Sequence, residues 1–193
     1  QDRSQEALFV AGLQRIMKVT ERSTGSFSAP IPLEAWAKPF DAVVLFNAGS
    51  GIYQEVTSVA GNLTAADVFH STSNALVKFV GDQIYLGMDD RFRYIGLGLS
   101  TAGAGGAVTY SYWDGFNWRG FVPSGGTSYL DQTDSKLLLW DDFSSVPSDW
   151  HKKSISGRNQ FWVKIEVQSA FATGPVGSHI TAVSEVQHLT FRR

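Results

Sequence analysis

The residues of this chain best suited to binding chemistry lie in one short stretch, where tryptophans stand next to polar side chains. Trp113 is followed by Asp114, and Asn117 is followed by Trp118. An exposed indole ring can stack on the face of a sugar ring, and carboxylate and amide groups can hydrogen-bond its hydroxyls. These residues are therefore our candidate contacts for a ligand or partner. The competing interpretation is a core, because alternation along a strand buries every second side chain.

Other candidates for catalysis or metal binding form no recognised pattern. The histidines are His70, His151, His179 and His188. None of them has a spacing typical of metal ligands. The acidic pairs at 89–90 and 141–142 could supply oxygens to calcium, but neither belongs to the residue ladder of a calcium-binding loop. With no carboxylate motif of a glycosidase either, we predict no catalytic residue, no metal site and no cofactor, and hence a protein that is not an enzyme.

Composition argues against two classes of partner. The 193 residues carry a net charge of -2 without a long basic run, whereas nucleic-acid binders usually present a basic face. No stretch approaches the roughly 18 apolar residues that a membrane helix needs. We therefore expect neither nucleic acid nor membrane as a partner. The absence of cysteine excludes disulfides and fits a protein made in a reducing cytoplasm.

From residue 41 onward, apolar runs and alternating segments follow one another without amphipathic helices between them. We predict strands over 42–46, 52–59, 76–80, 83–88, 93–99, 107–113, 118–122, 136–140, 161–167 and 180–191. Strands at this spacing indicate a sandwich or barrel rather than a parallel sheet. We therefore predict an all-β fold, an antiparallel β-sandwich or jelly roll, over residues 41–193. A single helical turn is expected over 147–152.

Two local details of this fold can be stated in advance. Asp114 and Gly115 should form the turn of a hairpin between 107–113 and 117–122, with Gly115 at positive φ. The alternation in the later strands predicts burial of four side chains, those of Trp140, Trp162, Ile165 and Val167.

Residues 1–40 differ from the rest and are predicted to form an amino-terminal arm. Their middle is rich in Ser, Gly and Pro, and their apolar positions are Leu8, Phe9, Leu13 and Ile16. An apolar arm of this composition needs a surface to cover it, because ordering each residue costs roughly 1–2 kcal/mol of backbone entropy. We expect it to dock on a partner subunit and to lie outside the core of the sandwich.

The segment from Ile84 to Val167 resembles a domain found in structural proteins of tailed bacteriophages. Its motifs here are YWDGFNW over 112–118, PSDW over 147–150 and FWVKIEV over 161–167. Lys164 stands where the pattern leads us to expect Arg. Residues 180–186 are also similar to the closing strand of galactose-binding-like jelly rolls.

What the resemblance implies is membership of a virion. The expected function is a non-catalytic head decoration or cement protein that docks on the capsid through its arm and sandwich, or a tail or baseplate component. Its expected partners are the major capsid protein or tail proteins, together with further copies of itself. It would be made in the host cytoplasm and reside in the virion. The alternative is a carbohydrate-binding module or a receptor-binding head that uses exposed Trp and Tyr side chains.

Overall fold

The computed structural model describes residues 37–56, 75–127 and 130–183. Within these ranges the chain is all-β, as predicted, and contains no helix. The strands are β1 (Ala37–Pro39), β2 (Ala42–Asn47), β3 (Ile52–Glu55), β4 (Gln83–Met88), β5 (Tyr94–Thr101), β6 (Ala107–Trp113), β7 (Trp118–Phe121), β8 (Asp134–Leu138), β9 (Lys152–Ile155), β10 (Arg158–Ser169) and β11 (Val176–Val183). This described part accordingly offers no helix that could cross a membrane.

The strands form two antiparallel sheets. The small sheet has the strand order β1-β11-β5-β8, and the large sheet has the order β3-β2-β4-β10-β6-β7, with β9 paired to β10. One hydrophobic core includes Ile95 and Leu137 from the small sheet together with Leu45 and Ile165 from the large one. Both sheets therefore contribute to the same main core. The finer assignment to a β-sandwich or jelly roll stays a prediction.

Strand β10 is buried on both faces. Val163, Ile165 and Val167 lie in the main core, whereas Trp162 belongs to a second, smaller hydrophobic cluster. Successive side chains of a strand point to opposite sides of the sheet, so Trp162 lies on the side of the large sheet that faces away from the main core. We call this side the outer face. The burial predicted for Ile165, Val167, Trp162 and Trp140 is confirmed.

Two local predictions differ from the structure, and one strand was not predicted. Residues 76–80 form bends and a turn and not a strand, because the backbone N–H groups of Lys78 and Phe79 donate to the buried carboxylate of Asp82. Residues 147–150 form a turn without helix, closed by a bond from Trp150 N to the Pro147 carbonyl oxygen. The turn is followed by β9, which the sequence analysis did not predict.

The described body begins earlier than residue 41. Strand β1 pairs with β11, and the Phe40 side chain is buried in the main core. The last four residues of the range predicted as an arm, 37–40, are thus part of the sheet and core. The arm positions Leu8, Phe9, Leu13 and Ile16 lie outside the described residues.

Candidate functional site

The predicted hairpin is confirmed and its turn is held by one carboxylate. Strands β6 and β7 pair up to Trp113 opposite Trp118, and Gly115 has φ 99°. The Asp114 carboxylate accepts hydrogen bonds from the backbone N–H groups of Phe116 at 2.8 Å and Asn117 at 2.6 Å. These bonds, that from Asn117 first, lower the pKa of Asp114 below its ordinary value. One oxygen of Asp114 is thus committed to the turn.

The two tryptophans of the hairpin form a pair that is half-buried on the outer face. Their ring centroids lie 5.7 Å apart in an edge-to-face arrangement. The ammonium of Lys153 lies 3.4 Å from the centroid of the Trp113 ring and covers one of its faces. Trp113, Asp114, Asn117 and Trp118 are therefore close together, but Trp113 and Asp114 are already engaged by other groups. Trp118 is partly engaged as well, because the ammonium of Lys164 lies over its ring, 5.2 Å from the centroid. Asn117 and the neighbouring Gly115 and Phe116 are exposed.

The remaining aromatic side chains of this region divide between the two sides of the sheet. Tyr110, Tyr112 and Trp140 are buried in the main core, so the core interpretation holds for them. Burial raises the pKa of Tyr110 well above the ordinary value of a phenol. The Tyr112 hydroxyl donates to the Asp149 carboxylate at 3.0 Å. These rings hold the hairpin against the core and offer no surface to a ligand.

A run of aromatic rings on the outer face was not predicted from the sequence. Tyr53 on β3 contacts Phe46 on β2, with ring centroids 4.6 Å apart. Tyr53 also contacts Tyr85 on β4 at 6.0 Å, and Tyr85 contacts Trp118 at 5.6 Å. Trp162 on β10 lies edge-on to Tyr85 at 6.3 Å. Because strand order places β3 and β7 at opposite edges, this run crosses the large sheet.

A row of hydrogen-bonded polar side chains accompanies the rings. The Gln83 amide donates to Oε2 of Glu166 at 3.0 Å, and the Tyr85 hydroxyl donates to the Gln83 carbonyl oxygen. Lys164 donates to the same Glu166 oxygen at 2.7 Å. Gln168 bonds Thr109 at 3.2 Å on the next strand. We refer to Gln83, Lys164, Glu166, Gln168 and Thr109 as the polar row. It spans β4, β10 and β6.

Elsewhere, one acidic side chain of each pair weighed as calcium ligands is bound within the protein. Asp89 forms an ion pair with Lys152. Asp142 accepts bonds from Ser144 and Ser145 of its own turn, and these lower its pKa. No group of three or more His, Cys, Asp or Glu side chains among the described residues could hold a metal ion. A shallow cavity of about 140 Å³ beside Phe171 includes a single acidic side chain, Asp131, in its lining.

Comparison with known proteins gives little to set beside this geometry. No protein-family model matches the chain, and no curated protein matches it. A solved structure described as "Glycoside hydrolase" is similar to 83% of this chain, with 10% sequence identity and a TM-score of 0.39. The match covers 33% of that protein, so the chain spans about a third of its length. A likeness at this TM-score carries no argument about activity.

Proposed function

We propose that this chain is a non-catalytic structural protein of a tailed-phage virion, a head decoration or cement protein bound to the capsid. A tail or baseplate position is the variant of the same proposal. The support from sequence is the resemblance over residues 84–167. The motif residues 112–118 fall in the β6–β7 hairpin. Residues 161–167 fall in β10, which pairs with β4, β6 and β9 in the large sheet.

The observation that carries the proposal is the position of the exposed apolar side chains. Among the described residues, the large exposed hydrophobic side chains are Ile52, Tyr53, Phe79, Val80, Phe116, Val122 and Phe143. Ile52 lies on β3, and Val122 directly follows β7, the two edge strands of the large sheet. Edge strands invite pairing with another chain, and exposed apolar side chains along such an edge favour a protein contact there. In a close-packed assembly, neighbouring proteins would cover both the edge strands and the exposed apolar side chains.

The polar groups of the described part support binding rather than catalysis. Asp114 and Asp142 are used by their own turns, and Asp89 and Asp149 by ion pairs with Lys152 and Arg119. A catalytic centre needs a reactive group poised beside an acid or base in a cleft. The arrangement of these carboxylates stabilises loops instead.

The proposed partners are the major capsid protein or tail proteins and further copies of the chain. The proposed location is the virion, after synthesis in the host cytoplasm, and neither nucleic acid nor membrane is proposed as a partner. The arm, with its apolar positions Leu8, Phe9, Leu13 and Ile16, is proposed as the tether. In a closed symmetric assembly a neighbouring subunit is the natural surface for it.

The decisive experiment is mass spectrometry of gradient-purified particles from cells that encode the chain. The proposal predicts that the protein co-purifies with the particles at a copy number that is a multiple of the particle symmetry. Absence from intact particles would overturn it.

Two variants then locate the attachment surface. Deletion of residues 1–28 should leave a folded body with nearly the same melting temperature and reduce incorporation into particles. The double variant Phe116→Ser, Val122→Ser should reduce incorporation through the sheet edge, whereas Asp90→Ser, at an exposed polar position, should not. Full incorporation of every variant would contradict attachment through the arm and this edge.

A second candidate function, recognition of a carbohydrate by a binding module or receptor-binding head, is favoured by one specific observation. The aromatic run Tyr53, Tyr85 and Trp118 crosses the outer face next to the polar row. Rings beside planar hydrogen-bonding groups are the combination that sugar rings require. The hairpin residues first considered for this role contribute Trp118 to it.

A further inference from the structure

The outer face presents two accessible rings on either side of a buried one. Tyr53 is 49% exposed, whereas Tyr85 is only 4% exposed, and Trp118 is half-buried beyond it. Since both Tyr53 and Trp118 contact Tyr85, the three rings form a continuous aromatic strip. The strip runs across the strands, so a bound chain would lie perpendicular to them.

The central ring of the strip is held by contacts within the protein. The Trp162 indole is fully buried beneath the outer face and donates from Nε1 to the Lys153 carbonyl oxygen at 2.7 Å. Burial raises the pKa of Tyr85 far above that of a free phenol, so the ring keeps its hydroxyl proton, which it donates to Gln83. Fixed rings lose little entropy on binding, which is what gives a preorganised surface its affinity.

The polar row offers hydrogen bonds along one side of the strip. The Gln83 amide donates one N–H to Glu166, and its second N–H can donate to a ligand. A carboxylate accepts up to about four hydrogen bonds. Glu166 accepts bonds from Gln83 and Lys164 and a long contact of 3.4 Å from Gln168, which leaves it further capacity. Both side chains are partly exposed. Vicinal hydroxyls of a sugar are matched donors and acceptors for such groups.

The charge of this surface selects among ligands. Glu166 is neutralised by Lys164, and Glu55 at the β3 edge is neutralised by Arg158 at 2.8 Å. An anionic polymer needs several cations available to its phosphate or carboxylate groups. These two ion pairs cancel, and Lys153, a further cation of this face, is engaged over the Trp113 ring. The face therefore offers an anionic polymer few available cations and suits an uncharged ligand better.

From these observations we infer that the outer face binds a linear neutral oligosaccharide. The rings of Tyr53 and Trp118 stack on the apolar faces of its sugar units, and Gln83 and Glu166 hydrogen-bond its hydroxyls. This inference rests on the second candidate function and is independent of the virion role. It places recognition on β3, β4, β10 and the Trp118 end of β7 rather than on the hairpin turn.

The test is calorimetric titration of the full chain with four neutral hexaoses: cellohexaose, maltohexaose, mannohexaose and chitohexaose. At least one should bind and should change the tryptophan fluorescence. Tyr53→Ala and Trp118→Ala should each weaken that binding by about tenfold, the loss expected for one aromatic contact. Tyr53→Phe keeps the ring and should retain most of the affinity. Phe143→Ala, which removes an exposed ring that follows the small-sheet strand β8, should bind as the parent does.

Near-ultraviolet circular dichroism of each variant shows whether the fold is kept. If an alanine variant unfolds, the sugar affinity of Tyr53→Phe is compared with that of the parent instead. The inference is overturned if no hexaose binds at millimolar concentration, if only charged glycans bind, or if binding survives both alanine substitutions in folded protein. Self-association that is lost in Tyr53→Ala, without sugar binding, would assign the strip to a protein contact instead. Particle incorporation is measured separately, so a failure here leaves the virion proposal standing.

Discussion

The indole ring of Trp162 rests on Gly87, the residue opposite it on the neighbouring strand β4. A Cβ atom at Gly87 would lie 2.5 Å from the ring, closer than any real contact. The ring is fully buried, so protein atoms surround it and solvent does not reach it. The absence of a side chain at residue 87 is therefore what allows a tryptophan to lie across the sheet.

Gly87→Ala should lower the free energy of unfolding by about 1–3 kcal/mol, the usual penalty for overpacking a filled interior. Urea denaturation measures the change. Gly120→Ala is the matched control, since a Cβ there would meet only the Tyr110 carbonyl oxygen at an ordinary 3.8 Å. Equal stability losses in the two variants would show that the ring adapts to the added methyl group.

Trp162→Ala should cost roughly 3–5 kcal/mol, because it leaves a large cavity and removes the hydrogen bond to Lys153. Thermal and denaturant unfolding measure the loss. Trp118→Ala, at a half-exposed ring of the same face, should cost clearly less. A mild effect of Trp162→Ala would mean that the smaller hydrophobic cluster contributes little to stability.

Asp82 is a buried carboxylate that joins two loops. It accepts backbone N–H groups from Ala48 at 3.0 Å, Lys78 at 3.0 Å and Phe79 at 2.9 Å. An asparagine has only one acceptor oxygen, so Asp82→Asn leaves at least one of these donors facing an amide N–H. The expected loss is about 2 kcal/mol. Hydrogen exchange should become faster at the Ala48 amide, because the asparagine oxygen keeps most bonds when it takes the place of Oδ2 beside Lys78 and Phe79. The exposed Asp90→Asn should change stability by less than about 0.5 kcal/mol.

The stability contribution of Asp114 should depend on pH. Its pKa is lowered in the folded protein by the amides of Asn117 and Phe116. Stabilisation by the carboxylate is therefore present above the unfolded-state pKa, about 3.9, and is lost as pH falls through the lower folded pKa. At neutral pH, Asp114→Asn should unfold at a lower urea concentration than the parent. The two unfolding midpoints should converge below about pH 4, whereas a constant gap would assign the effect to shape rather than charge.

Sequence reasoning succeeded where the determining interactions are local. Asp114 and Gly115 encode their turn by themselves, because one residue caps the neighbouring amides and the other takes the positive φ. The alternation along β10 likewise fixes which side chains are buried. It failed over 76–80, where an alternating pattern was overridden by the nearby Asp82 carboxylate. Strand β9 was missed although Ser156 and Gly157, both at positive φ, form the two-residue turn into β10.

The outer-face strip could not be predicted from any short stretch of the sequence. Phe46, Tyr53 and Tyr85 stand in separate strands, and only the pairing register brings them together, with Phe46 opposite Tyr53 and Val44 opposite Tyr85. Strand order is set by contacts between residues far apart in the chain, which no window of sequence contains. The sequence identifies aromatic residues at alternating positions, but it does not say which strands are neighbours.

The pairing of β1 with β11 has a consequence for how such a domain can be used. Ala37 stands directly opposite Val183, at the spacing of about 5 Å between Cα atoms that antiparallel partners have. The first and last described residues of the body thus lie side by side. A host protein could carry this body as an insertion between two adjacent positions of a surface loop, with little strain on its own fold.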